Sequence, residues 1–372
     1  MTTYVVIFSL QQRSLVFAKS FTLNIPIFDA QNSRLKNYIS NLRNIATFAV
    51  ILLHVAAPFV LQFNKISFAS WQLANLLDSM LRFGVPVFVM ISGAVLLDRS
   101  EPLSTFLSKR LKRVLLPFLF WSIVYFVFVY AGSFQKLSML QLLQTLFNKL
   151  LKGTYYHLWY VYMILGIYLF VPIIRKWAQN STKQELQYFL FLWAVTLLIN
   201  TNVAKYLPSV EVLYFSRYLG YFILGYYLDK HVSTSRPKNN LYLMCFVFGA
   251  ALTFLSTSYL SVKQNHLNIT YYNYLSPNVC LLSIGIFLSG KSLLHNSSKL
   301  SINLDKHSYG IYLVHVLVLH YVYRFTAYLT FDKNSPLWLL MYIISISIIT
   351  YLVSYALIWV LALPKKLRPL IT

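Results

Sequence analysis

Carboxylates are scarce in this chain: 9 Asp+Glu stand against 32 Lys+Arg in 372 residues, and only 11% of positions are charged while 58% are hydrophobic. So little charge excludes a soluble domain of this length. The net charge of +23 does not read as a nucleic-acid interface either, because the cations fall in short bursts between long apolar runs instead of clustering on one folded face. Cysteine is nearly missing. The two present, Cys245 and Cys280, sit inside apolar runs and suggest neither a disulfide framework nor a metal site. Also missing are a GxSxG elbow, a Walker loop, GxGxxG, HExxH and CxxC, which weighs against hydrolase, nucleotide-driven pump and metalloenzyme readings. His315 and His320 are five apart and do not share a helix face, which argues against a helical metal pair, so no metal is expected.

What remains is long apolar runs. A helix crosses a bilayer with about 20 apolar residues, and in lipid only helices or closed barrels satisfy the backbone. The runs are helix-length and predict an all-α, polytopic membrane bundle of about ten spans near 43–62, 76–97, 113–132, 157–174, 186–202, 211–229, 241–260, 275–290, 308–326 and 336–361. Most Lys and Arg fall on the side of the N-terminus, which places both termini in the cytoplasm by the positive-inside rule. Residues 1–37 are too short in apolar content to span and lack the layout of a cleavable signal. They read as a cytoplasmic tail, or as sequence added by a start codon set too far upstream. Residues 38–363 then form one transmembrane domain, and 364–372 a basic cytoplasmic tail. Within the longest outer segment, LSMLQLLQTLFNKLLK has helical apolar spacing and reads as an interfacial amphipathic helix lying against membrane lipid.

A charge at mid-span costs roughly 2.5–3.5 kcal/mol on insertion scales, so each one needs a partner or a task. The stretch RNIATFAVILLH places Arg43 and His54 eleven residues apart, and at about 100° per residue the two return to within about 20° of one direction. They lie roughly 16 Å apart along the axis, about half of a 30 Å hydrocarbon core. Spacing alone favours the plainer reading, in which Arg43 anchors the helix at the interface and His54 bonds a neighbouring helix. Asp78 and Arg82, four apart, could neutralise each other on one face. Glu211 and Arg217, six apart, face differently near an outer end. The run KRLKR is a sufficient positive-inside anchor, yet Arg110 and Arg113 share a face and would make a bidentate phosphate clamp. The aromatics of TYYHLWY, around His157 and Trp159, fit an interfacial belt or a sugar-stacking surface.

Six motifs in order, RNIATFAVILLH, RFGVPVFVMISGAVLL, KRLKRVLLPFLFW, HLWYVYMILGIYLFVPIIRKW, RYLGYFILGYYL and HSYGIYLVH, make the chain resemble the acyltransferase-3 membrane proteins from about residue 36 onward. That family includes bacterial O-acetyltransferases of surface polysaccharides and glycolipids. The resemblance implies a ten-helix core in the bacterial cytoplasmic membrane, a cytosolic acyl-CoA donor, most plausibly acetyl-CoA, and a glycan or lipid-linked sugar acceptor reached from outside. It carries the central functional pair onto Arg43 and His54 and the donor contacts onto Arg110 and Arg113 beside Arg43. His54 would then act as a base on the acceptor hydroxyl or form a transient acyl-imidazole. Asp78 or Glu211 would orient the ring or the acceptor, and His157, Trp159, Arg82 and Arg217 would contact the acceptor. Some members carry an extracytoplasmic hydrolase-like domain; none is read here, so the chain is expected to act on a membrane-proximal acceptor or to hand the acyl group to another protein. The competing expectation is a polysaccharide or glycolipid exporter, which intramembrane Asp, Arg and His also suit. The oligomeric state is not legible.

Overall fold

A chain this apolar crosses lipid only if its amides are bonded within each segment, and the described residues are helices joined by turns with no strand among them. The computed structural model describes residues 27–134, 137–199, 213–328 and 331–372. Among the described residues, six segments are long and apolar enough to span a membrane: Asn37–Val60, Phe68–Leu96, Leu103–Tyr130, Tyr156–Asn180, Asn239–Gln264 and Pro336–Leu361.

In chain order, α1 (Ile27–Val60) leads to α2 (Phe68–Leu81) and α3 (Gly84–Leu96). The second span begins eight residues before the expected position 76, because the stretch 68–75 carries the polar Ser70, Gln72 and Asn75, which dilute its hydropathy although Ser70 and Asn75 are buried in the structure. Next come α4 (Leu103–Arg110), a π-helical turn (Leu111–Leu115) and α5 (Leu116–Tyr130). Then follow α6 (Met139–Lys152), α7 (Trp159–Asn180), α8 (Lys183–Ile199) and α9 (Leu213–His231). The last four are α10 (Asn239–Gln264), α11 (Pro277–Leu293), α12 (Lys299–Thr326) and α13 (Pro336–Leu361), before a short α14 (Arg368–Ile371). Expected spans near 186–202, 211–229, 275–290 and 308–326 overlap α8, α9, α11 and α12. Of these, α8 and α11 have 17 residues each, and α9 and α12 carry charged residues and histidines.

α1 occupies the centre, packed against α2, α3, α11, α12 and α13. Its spanning window is 61% buried, against 28% for α10 at the periphery, so α1 has protein on nearly every side. α3 and α9 pack backbone to backbone: a Cβ on Gly93 would fall onto the Phe222 carbonyl, and one on Gly225 onto that of Met90. α6 buries none of its residues, exposes Leu140, Leu143, Phe147 and Leu151, and is closed at its start by a Ser138–Gln141 capping box.

Candidate active site

Four helices each turn one stripe of side chains toward a common axis. On α1 the stripe runs from Arg43 to His54, and on α12 from Asp305 through Tyr309 and Tyr312 to His315. On α7 it runs from Tyr168 through Ile164 to Tyr160, with His157 just before the helix. α3 contributes Val95, Ser92 and Phe88, followed by Arg99 in the next loop. Steps of three and four keep each set on one face.

At the basic end these stripes line a cavity of about 590 Å³ whose wall includes Arg43, Arg99, Arg110, Arg113 and Lys306. Arg43 and both arginines of KRLKR thus meet in one pocket. The π-helical turn carries Lys112 and Arg113, and such turns recur at functional sites. Arg43 pairs with Asp305 at 2.5 Å, and Ser40 donates to the other oxygen of that carboxylate at 2.8 Å. Asp305 is a partner that spacing could not give, since it lies on another helix. Arg110 reaches Glu101 at 3.7 Å. Among the described residues no carboxylate lies in ion-pair distance of Arg99, Arg113 or Lys306. The loop carrying Arg99 and Glu101 is held by Arg175, which donates to the Leu96 carbonyl at 3.1 Å and to that of Glu101 at 3.4 Å. A cation at those end carbonyls also suits the helix dipole. The Glu101 carboxyl is held below the usual carboxylate range, chiefly by the hydrogen bond from Lys109, burial opposing and the charges of Lys109, Arg110 and Arg175 adding to it.

Beyond this cavity three imidazoles converge. The His54 and His315 centroids are 5.1 Å apart, and those of His157 and His315 are 5.2 Å apart. A carbonyl only accepts, so each ring nitrogen on one must carry a proton. His54 Nδ1 donates to Val50 O at 2.7 Å, His315 Nδ1 to Tyr312 O at 2.6 Å, and His157 Nε2 to Leu313 O at 3.2 Å. In the neutral form of each ring this leaves His54 Nε2, His315 Nε2 and His157 Nδ1 as bare lone pairs. The last two are buried without a partner. His315 is 0% exposed and His157 2%, whereas His54 is partly accessible. Tyr156, 59% exposed, stacks over His54 at 5.6 Å, so the site opens beside this ring at the end away from the basic cavity. Tyr125 and Tyr312 brace the cluster: Tyr125 donates to Leu313 O at 2.9 Å, and the Tyr312 hydroxyl donates to the His157 carbonyl.

Nearby, Arg82 lies close enough for its charge to act on His54. Asp78 is fully buried and ion-paired with Arg82, whose Nε donates to it at 2.5 Å. The guanidinium sits 4.1 Å from the Tyr272 ring centroid and 5.7 Å from that of Tyr274. Trp159, 39% exposed, stacks on Tyr274 at 6.0 Å. Arg217 is exposed, at a kink within α9. Glu211 lies outside the described residues. Among the described residues, no group of three or more His, Cys, Asp or Glu side chains is arranged to hold a metal ion.

A family model described as an acyltransferase domain, acyltransferase-3, matches residues 36–359. The chain belongs to the acyltransferase-3 family. None of the curated proteins and none of the solved structures matches it. For an acyltransferase-3 member, a transferase of the membrane, the layout is chemically coherent: a cationic cavity suits an anionic acyl donor, and a bare imidazole nitrogen beyond it suits proton abstraction. His315 and Tyr312, which were not among the site residues expected from sequence, stand in the same ring cluster as His54 and His157. Their sequence signal was HSYGIYLVH itself, an intramembrane histidine three residues after a tyrosine.

Proposed function

We propose that this chain moves a short acyl group, acetyl in the simplest case, from cytosolic acyl-CoA to a hydroxyl of a surface polysaccharide or lipid-linked glycan. It would do so as a ten-span protein of the bacterial cytoplasmic membrane with both termini inside. The observation that carries this reading is the bare Nε2 of His54, fixed by the Nδ1 bond to Val50 O and set on the same helix face as Arg43 in the basic cavity. The donor's phosphates would rest on Arg43, Arg110 and Arg113, with Arg99 and Lys306 beside them, where guanidiniums bind phosphate oxygens in pairs. The thioester arm would run inward past Ser92 and Tyr168 toward the histidines.

The acceptor would approach from the Tyr156 side. His54 Nε2 takes the hydroxyl proton as the oxygen attacks the thioester carbonyl. The C–S bond breaks, and the departing CoA sulfur receives the proton back from the imidazolium. Arg82, oriented by Asp78, and Trp159, beside Tyr274, would receive the acceptor's polar and ring surfaces. His157 would hold the cluster's inner edge, and Arg217 and Glu211 would belong to the outer mouth. A His54→Ala variant should insert and fold normally yet lose acylation of the glycan, read by mass spectrometry of the surface polymer against the parent strain. Retained acylation overturns the role.

A further inference from the structure

The basic cavity ends on three aromatic rings. Phe88, Tyr160 and Tyr312 line it, with centroids 5.4 Å apart for Tyr160–Tyr312, 6.0 Å for Phe88–Tyr160 and 6.5 Å for Phe88–Tyr312. These are separations of packed aromatics in mutual contact, which leave no open channel for a carbon chain. On its other side Tyr312 touches His315 at 5.7 Å and His157 at 5.8 Å. Tyr312 and His315 are three residues apart, roughly 4.5 Å along the axis, so the cavity stops about one helical turn short of the histidines. None of the three imidazoles is in its wall.

The wall before the rings is polar on two sides, where Ser92 Oγ lies 3.5 Å from the Tyr168 hydroxyl and the Tyr309 hydroxyl donates to Val114 O at 2.9 Å. Aliphatic Val95, Leu96, Val114 and Ile164 complete that wall, a mixed surface that suits an amide-bearing thioester arm. The rings differ in freedom. Tyr312 is tied by its hydroxyl to the His157 carbonyl and Tyr160 is buried, whereas Phe88 has no polar group and is partly exposed to the cavity.

We propose that Phe88, Tyr160 and Tyr312 form a septum that selects short acyl groups, with Phe88 as the ring that yields. Two carbons need only reach past its edge, while a longer chain must be threaded between the rings. The inference rests on the acyl-transfer reading and names the donor class for it.

The test uses the full chain in lipid nanodiscs with CoA, acetyl-CoA and hexanoyl-CoA, measuring binding and, separately, the hexanoyl-to-acetyl ratio of kcat/KM. Wild type should bind CoA and favour acetyl. Phe88→Ala should raise the ratio by on the order of ten- to a hundredfold, the discrimination one or two methylenes carry in a fitted pocket. Phe88→Leu, which keeps the helix packing, should give a smaller rise in the same direction. Leu169→Ala, on the outward face of α7 and outside the cavity wall, should leave the ratio where it was. An unchanged ratio in folded Phe88→Ala and Phe88→Leu, or equal use of both donors by wild type, overturns the septum while leaving acyl transfer intact. A wild-type protein that binds no CoA and turns over neither donor overturns both.

Discussion

The His315 ring stands edge-on to that of His54, with planes at 86° and centroids 5.1 Å apart. His315 reaches this position from α12, and its Nε2 has no partner in the described structure. Removing it should therefore disturb the medium around His54 more than the helix packing. His315→Gln is expected to lower kcat by on the order of tenfold or more with KM for the donor unchanged, and to move the acid limb of the kcat profile. A purely structural role would lower expression without shifting that limb.

Arg110, at the end of α4, and Arg113, within the π-helical turn that follows, face the same cavity. Loss of one charge-assisted contact costs about 1.5–3 kcal/mol, so each alanine variant should weaken CoA binding roughly ten- to a hundredfold. Lysine at either position should recover only part of this, because an ammonium cannot make the paired contact. Titration calorimetry in nanodiscs at two salt concentrations checks it. An exporter without a donor site would bind no CoA at the start.

Asp78 and Arg82 form a buried pair on one helix face. Arg82→Ala strands the carboxylate, and breaking such a pair typically costs about 3–5 kcal/mol. The double variant Asp78→Asn/Arg82→Met should melt well above that single variant while still losing acceptor transfer. Thermal unfolding in detergent together with glycan acylation separates the two effects.

Glu101 has a carboxyl held below the usual range, with the Lys109 hydrogen bond as the main cause. A depressed folded value means its stabilisation is present above the ordinary glutamate range and is lost as pH falls through the lowered value. Lys109 is largely exposed, so Glu101→Gln should cost only a fraction of a kcal/mol at neutral pH. The gap from wild type should close in acid, as melting curves across pH would record.

The sequence carried whatever lies along a single helix. Arg43 and His54 share a face by arithmetic, Asp78 and Arg82 are one turn apart, and Arg110 and Arg113 share a face; the structure holds the first two on one continuous helix, pairs the second two and sets the last two in one cavity wall. The unforeseen relationships join residues far apart in the chain. Asp305 meets Arg43 across 262 positions, and His157 bonds to the Leu313 carbonyl across 156. Periodicity holds no information about which helices become neighbours, so the convergence of His54, His157 and His315 could not be read from any one motif. The early start of α2 was hidden for a related reason, since Gln72 and Asn75 look foreign to lipid until Ser258 and Tyr272 are seen to meet them.

The carbonyl of Leu313 accepts hydrogen bonds from both Tyr125 and His157, and the Tyr125 hydroxyl in turn receives the Leu317 amide at 3.1 Å. α5, α12 and the segment before α7 are thereby locked in a single register. A slide of α12 by even one residue would break all of these bonds together, so His157 and His315 have no independent axial freedom. On the acyl-transfer reading, movement of a group past them would come from a side chain swinging on its own torsions, a far faster and smaller motion than the rocking of helices against each other.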